Sequence, residues 1–227
     1  MKLIHQNWTF EIVFKENLIQ RLIIEDSKIF TEIVVGLQEL IKGEETKWVL
    51  SECGKVLKAS CCCDLIIDYF NLDINQRKMI SSLYEKLEME IYSSDLLLMW
   101  NKMQSIMQNI VDQSIDRVGY NIIYKDIDIK NCLKMLNASF EKCCDNSLEC
   151  LLEYLELFHE VMGIDLFVLI NVTTFFSKEE LVYLYQQAEY KKYFLLLIDR
   201  DMREIDFSKE NVLIIDKDAC VFDGNLP

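Results

Sequence analysis

Apolar side chains run almost unbroken from residue 164 to 172, with only Asp165 and Asn171 polar. A strand with one wet face alternates apolar and polar positions. This run does not, so it predicts a strand covered on both faces. Before it, Leu148, Leu151, Leu152, Leu155, Phe158, Val161 and Met162 recur at helical spacing, and Gly163 supplies a stop. After it, Ser177 and Glu180 stand as a capping box for a helix over 178–190. Two more buried strands are predicted, at 193–198 and 211–216, and a strand or surface tail at 218–227. Helix, strand, helix, strand is the order of a layered α/β domain.

The N-terminal third repeats that grammar. Trp8, Phe10, Ile12 and Phe14 alternate as short strands do, and 18–24 reads as a second central strand. Ser27 is placed to cap a helix whose inner face is Ile29, Ile33, Leu37, Leu40 and Ile41, ended by Gly43. Residues 48–57 read as a hairpin. From 71 to 144 the strand pattern gives way to helices. Asp73 and Gln76 resemble a capping box before Ile74, Ile80, Leu83, Leu87 and Ile91. A longer helix runs from Asp95 toward Val118, with Leu96, Trp100, Met103, Met107, Ile110 and Ile115 in one stripe, widened by Leu97, Met99 and Ile106. That breadth predicts burial on more than one side, against a neighbouring helix and a second subunit. Asp128 is placed to cap a short helix with Cys132, Leu133 and Leu136 inward. The predicted organisation is therefore a head over 1–70 and 145–227, interrupted by a helical insertion over 71–144.

Composition narrows the class. The chain is 51% apolar with one proline and six glycines, a globular balance. It has neither a long uncharged apolar span nor a basic stretch before an apolar one, so no membrane partner and a cytoplasmic location are expected. Nine cysteines include the runs 61–63 and 143–144, and neighbours do not readily cross-link, so a reduced chain is expected. The net charge is −14, and the acidity rises toward the C-terminus: 149–227 carries 7 basic against 16 acidic residues. Unaided nucleic-acid binding then requires lysines gathered on one surface.

The candidate chemistry is sparse. The turn Glu25-Asp26-Ser27-Lys28-Ile29 sits where a phosphate-binding loop would follow a strand, yet it holds no glycine and two carboxylates, so no nucleotide is expected. Asp165, Asn171, Asp199 and Asp216 lie at strand ends, where open sheets place active sites, but no glycine-rich turn or nucleophile–histidine set accompanies them. Asp112, Asp116, Asp126 and Asp128 form an acidic group in the insertion. Three readings stand: sequence-independent DNA binding without catalysis, a metal-dependent nuclease or phosphohydrolase using the strand-end aspartates, and an acidic oligomeric protein adaptor.

The order of segments carries a resemblance. A short hairpin leads to Leu18-Ile19-Gln20-Arg21-Leu22-Ile23-Ile24-Glu25-Asp26 and a helix. Then Glu52-Cys53-Gly54-Lys55-Val56-Leu57-Lys58 runs into Leu65-Ile66-Ile67-Asp68-Tyr69-Phe70-Asn71-Leu72-Asp73. A helical insertion precedes Asp165-Leu166-Phe167-Val168-Leu169-Ile170-Asn171. This resembles the small accessory protein of type II-A CRISPR systems, which works in spacer acquisition. The resemblance implies an α/β head with a mostly parallel sheet and a degenerate P-loop ATPase-like core, plus an inserted all-helical leg. It implies a homotetrameric ring that takes duplex DNA ends through a positively lined hole, supported by calcium. It also implies work beside the CRISPR adaptation integrase and the large guide-directed nuclease, with no catalysis of its own. The DNA contacts it offers are Lys55 and Lys58, to which the residues themselves add Lys102, Lys130 and Lys134. For calcium it offers Asp116, Asp126 and Asp128. The cysteines at 61–63 and the carboxylate-poor connector at 119–124 depart from the family pattern.

Overall fold

The apolar run around Val168 lies inside a six-stranded sheet, in a computed structural model that describes residues 1–205 and 207–224. The chain opens with β1 (Lys2–His5), β2 (Glu11–Val13) and β3 (Ile19–Ile24), then enters α1 (Ser27–Lys42). A hairpin of β4 (Trp48–Glu52) and β5 (Lys55–Val56) leads through the single turn α2 (Ala59–Cys62) into β6 (Cys63–Ile66). Three helices follow: α3 (Arg77–Ser93), α4 (Leu96–Val118) and α5 (Ile129–Met135). The last third is α6 (Ser147–Met162), β7 (Leu166–Ile170), α7 (Val172–Phe175), α8 (Lys178–Lys191), β8 (Phe194–Asp199), β9 (Glu210–Ile215) and β10 (Val221–Asp223). Residues 225–227 of the predicted terminal strand or tail lie outside the described residues.

The large sheet has the order β10-β9-β3-β8-β7-β6, parallel throughout except for β10 at its edge. All five residues of β7 and all six of β3 are buried. Pleating sends Leu166, Val168, Ile170, Leu196, Ile198, Leu22 and Ile24 to the face shared with α1 and with the small antiparallel sheet β2-β1-β4-β5. It leaves Phe167, Leu169, Leu195 and Leu197 for the other face, against which α8 packs. Each such side chain contributes about 1.5–3 kcal/mol by leaving water, and both faces need the covering that the crossover helices provide.

Local signals set the helix ends. Ser177 and Glu180 form the reciprocal capping box of α8. Gly163 and Gly43 close α6 and α1 at φ 71° and 77°, where a side chain would be strained. Asp26, not Ser27, caps α1: its carboxylate reaches the amides of both Lys28 and Ile29 at 2.9 Å. No helix opens directly after Asp73. Helix α3 begins at Arg77, because Asn75 is drawn into a two-way pairing with the Phe140 backbone at 3.0 and 2.9 Å.

The chain divides into two units. One comprises Met1–Asp73 with Cys143–Pro227 and holds both sheets. The other, Ile74–Lys142, is helical, and in it α3 packs on α4 and α5. Two expectations fail here. In α5, Leu136 is exposed and Ile129 is the buried residue, since the helix ends one position short of Leu136. The 23-residue α4 fully buries none of its side chains within the chain: Leu97, Trp100, Met103, Met107, Val111 and Ile115 are half-buried, while Leu96, Met99, Ile106 and Ile110 stay exposed. In the sheet-bearing unit a third is corrected: Cys144 is joined to Cys150. The two are not sequence neighbours, and the capped turn at Asn146 brings residue 150 back to a Cα distance of 5.0 Å from Cys144.

Candidate nucleic-acid interface

The crevice at the carboxyl ends of β3, β7 and β8 is where an open sheet of this kind would hold a ligand. Here the protein's own side chains fill it. Asp26 takes the first amides of α1, and those two hydrogen bonds, Ile29 first, hold its carboxyl below the usual range. A phosphate arriving at that helix end would meet a bound carboxylate where it needs free N–H groups. Asp199, 1% exposed, accepts from the Thr173 amide at 3.3 Å and from its hydroxyl at 2.8 Å. Burial pushes the Asp199 carboxyl up, against the pull of Thr173 and Arg21. Arg21 is buried in β3 and paired at 3.2 Å with Glu210, and the Arg203 guanidinium donates to the carbonyls of Thr173 and Phe176.

The other strand-end candidates serve local structure. Asp165 faces His159 Nδ1 at 3.3 Å, on the far side of β7 from the crevice. Asn171 holds the left-handed turn into α7. Asp216 accepts from the amides of Asp218 and Cys220 at 2.9 and 2.8 Å, closing the turn before β10. Among the described residues no group of three or more His, Cys, Asp and Glu side chains is placed to hold a metal ion.

The lysines are presented differently. Lys55 opens β5 and Lys58 precedes α2; both are exposed, with no hydrogen-bond or ion-pair partner for either ammonium among the described residues. Lys102 on α4 and Lys134 on α5 are exposed and equally free among the described residues. Lys130 is half-buried and engaged: Glu88 at 3.2 Å and Glu85 at 3.7 Å hold it, and the Glu88 contact raises its pKa. The helical unit, 74–142, carries nine basic and nine acidic residues, so the whole net charge of −14 falls on the sheet-bearing unit.

The insertion's carboxylates are dispersed. Asp116 is exposed on α4 without a hydrogen-bond or ion-pair partner among the described residues. Asp126 accepts from Gln108 Nε2 at 2.6 Å. Asp128 caps α5, taking the Asn131 amide at 2.6 Å and its Nδ2 at 2.7 Å. Asp112 accepts from the Tyr124 hydroxyl at 2.7 Å. Asp116, Asp126 and Asp128 thus do not converge into a ligand set among the described residues of this chain.

No helix among the described residues is long and apolar enough to cross a membrane. No curated protein matches the sequence. Residues 41–219 match the CRISPR-associated protein family Cas_Csn2. That span takes in the β4–β5 hairpin, the entire helical unit and every strand of the large sheet except β3 and β10. The chain therefore belongs to the Cas_Csn2 family of type II-A CRISPR accessory proteins, which bind duplex DNA ends without catalysis in spacer acquisition.

Proposed function

We propose that this chain assembles into a homotetrameric ring and holds duplex DNA through phosphate contacts made by lysines, with entry at a DNA end. The observation that carries the reading is α4. Met99, Met103, Ile106 and Ile110 repeat at spacings of four, three and four, and Met99, Ile106 and Ile110 are 59–68% exposed. That is the seam of a helix made to pack on another helix, and a second copy of the chain supplies one.

Charge decides where DNA is tolerated. A duplex is repelled by the sheet-bearing unit as a whole, but not by a helical unit of zero net charge. Lys102 and Lys134 are the free cations of choice there, and Lys130 contributes only by giving up Glu88 and Glu85. On the sheet-bearing unit, Lys55 and Lys58 flank a hairpin arm. All are point charges suited to phosphates, so binding is indifferent to base sequence and falls with salt. The β3–turn–α1 unit is read as a degenerate P-loop-like core, with Asp26 where the phosphates of a nucleotide would lie. The ring is expected to work beside the adaptation integrase and the large guide-directed nuclease.

The test is a salt-series titration of linear and covalently closed duplexes of one sequence. The linear form should bind and the closed circle should bind poorly until cut. Lys55→Ala with Lys58→Ala, and separately Lys102→Ala with Lys134→Ala, should each weaken binding to every sequence alike. Each should also lower the salt slope by roughly one per lost phosphate contact. Equal affinity for both topologies would remove the threaded ring. Full affinity in a double variant would remove that pair from the interface.

A further inference from the structure

The family binds calcium, and the segment between α4 and α5 is where the candidate carboxylates of this chain gather. A calcium site collects about six to eight oxygens, with carboxylates free to turn toward the ion. Here Asp112, Asp126, Asp128 and the Ile127 carbonyl already accept from N–H and O–H groups, and Asp116, without a partner among the described residues, joins no group of three ligands. Tyr124 Oη donates to Asp112 at 2.7 Å, Gln108 Nε2 to Asp126 at 2.6 Å, and Gln104 Nε2 to the Ile127 carbonyl at 2.8 Å. Asp128 is consumed by both nitrogens of Asn131. Gln104, Gln108 and Asp112 lie at spacings of four along α4, so one face of the helix meets the segment three times. The groove beneath the segment, about 160 Å³, is walled by Met107, Val111 and Ile127. The polar members of the same lining, Gln104, Gln108, Tyr124 and Asp126, are the ones engaged in these hydrogen bonds, and Lys125 adds a positive charge beside them.

We infer that in this chain neutral side-chain donors do the work of an ion, so that residues 120–128 are held on α4 by Tyr124, Gln108 and Gln104 and their order does not depend on calcium. The Asp112 hydrogen bond also raises the Tyr124 pKa, the direction expected of a phenol donating to a carboxylate. The inference concerns the free protein and stands apart from the ring and from DNA.

Amide hydrogen exchange of the full chain without DNA, in excess EGTA and in millimolar calcium, reads it directly. Peptides over 120–128 should exchange at the same rate in both, within about twofold. Gln108→Leu with Tyr124→Phe should speed that exchange about tenfold in EGTA, the effect of losing two net hydrogen bonds. Terbium luminescence, sensitised by Tyr124 if a lanthanide sits beside it, should stay flat in the unmodified chain. Protection of 120–128 by calcium, a saturable terbium signal, or unchanged exchange in the double variant would each overturn the inference.

Discussion

His5 is 5% exposed and lies against Trp48, with ring centroids 4.8 Å apart. Its Nδ1 accepts the Asn7 amide at 3.3 Å, so the neutral ring carries its proton on Nε2. Burial lowers its pKa, the Lys47 charge lowers it further, and Glu32 opposes both. A histidine with a depressed folded-state pKa binds its proton first in the unfolded chain. Its contribution to stability is complete above the unfolded value, about 6.5, and is lost as pH falls below that toward the folded value. Urea midpoints at pH 7 and pH 5.5 should therefore drop more in the unmodified protein than in His5→Phe. His159 and the carboxylates are common to both proteins and cancel. The same drop in both would show that His5 is not the group responsible. Asp26 makes a second point at this scale. It was legible as a carboxylate hostile to phosphate, but its role as the cap of α1 was assigned to Ser27. Both residue types cap helices, and only the chain path through the turn chooses between neighbours.

Among the elements, α4 is the one whose sequence and surroundings disagree. An apolar stripe this broad predicts full burial, and one chain covers only part of it, leaving Met99, Ile106 and Ile110 exposed. Exposed patches of this kind mark association surfaces. Ile106→Glu with Ile110→Glu should lower the mass measured by light scattering from roughly four chain masses to two or one. The same change should leave monomer stability within about 0.5 kcal/mol, because neither side chain is buried in the single chain. An unchanged mass would place the contact elsewhere. By contrast, β3, β7, β8 and β9 of the large sheet were legible to within about two residues, whereas β6 carried no strand signal of its own. A fully apolar strand and a capping box are local signals, and in β7 and α8 tertiary packing reinforces them.

At the scale of the whole molecule, two long-range facts changed the picture. One is the separation of charge, with a neutral helical unit and a strongly acidic remainder. The other is the Cys144–Cys150 link, which leaves seven cysteines free. Protein prepared without reductant and then unfolded should titrate seven thiols, and nine after reduction. Nine without reductant would restore the reduced reading.

The sequence by itself determined the α/β class, the order of the head segments and the place of the helical insertion. Each rests on periodicity and local stop signals, which act within a few residues. Only the tertiary structure decided that the strand-end crevice is filled, because Asp199, Thr173 and Arg203 meet across long stretches of chain. Likewise, only it decided that Asp126 and Tyr124 of the connector meet Gln108 and Asp112 of α4, and that Lys130 is paired while Lys102 and Lys134 are free among the described residues. Whether a polar side chain is available to a ligand depends on what has already taken its hydrogen bonds, and those partners are chosen in three dimensions.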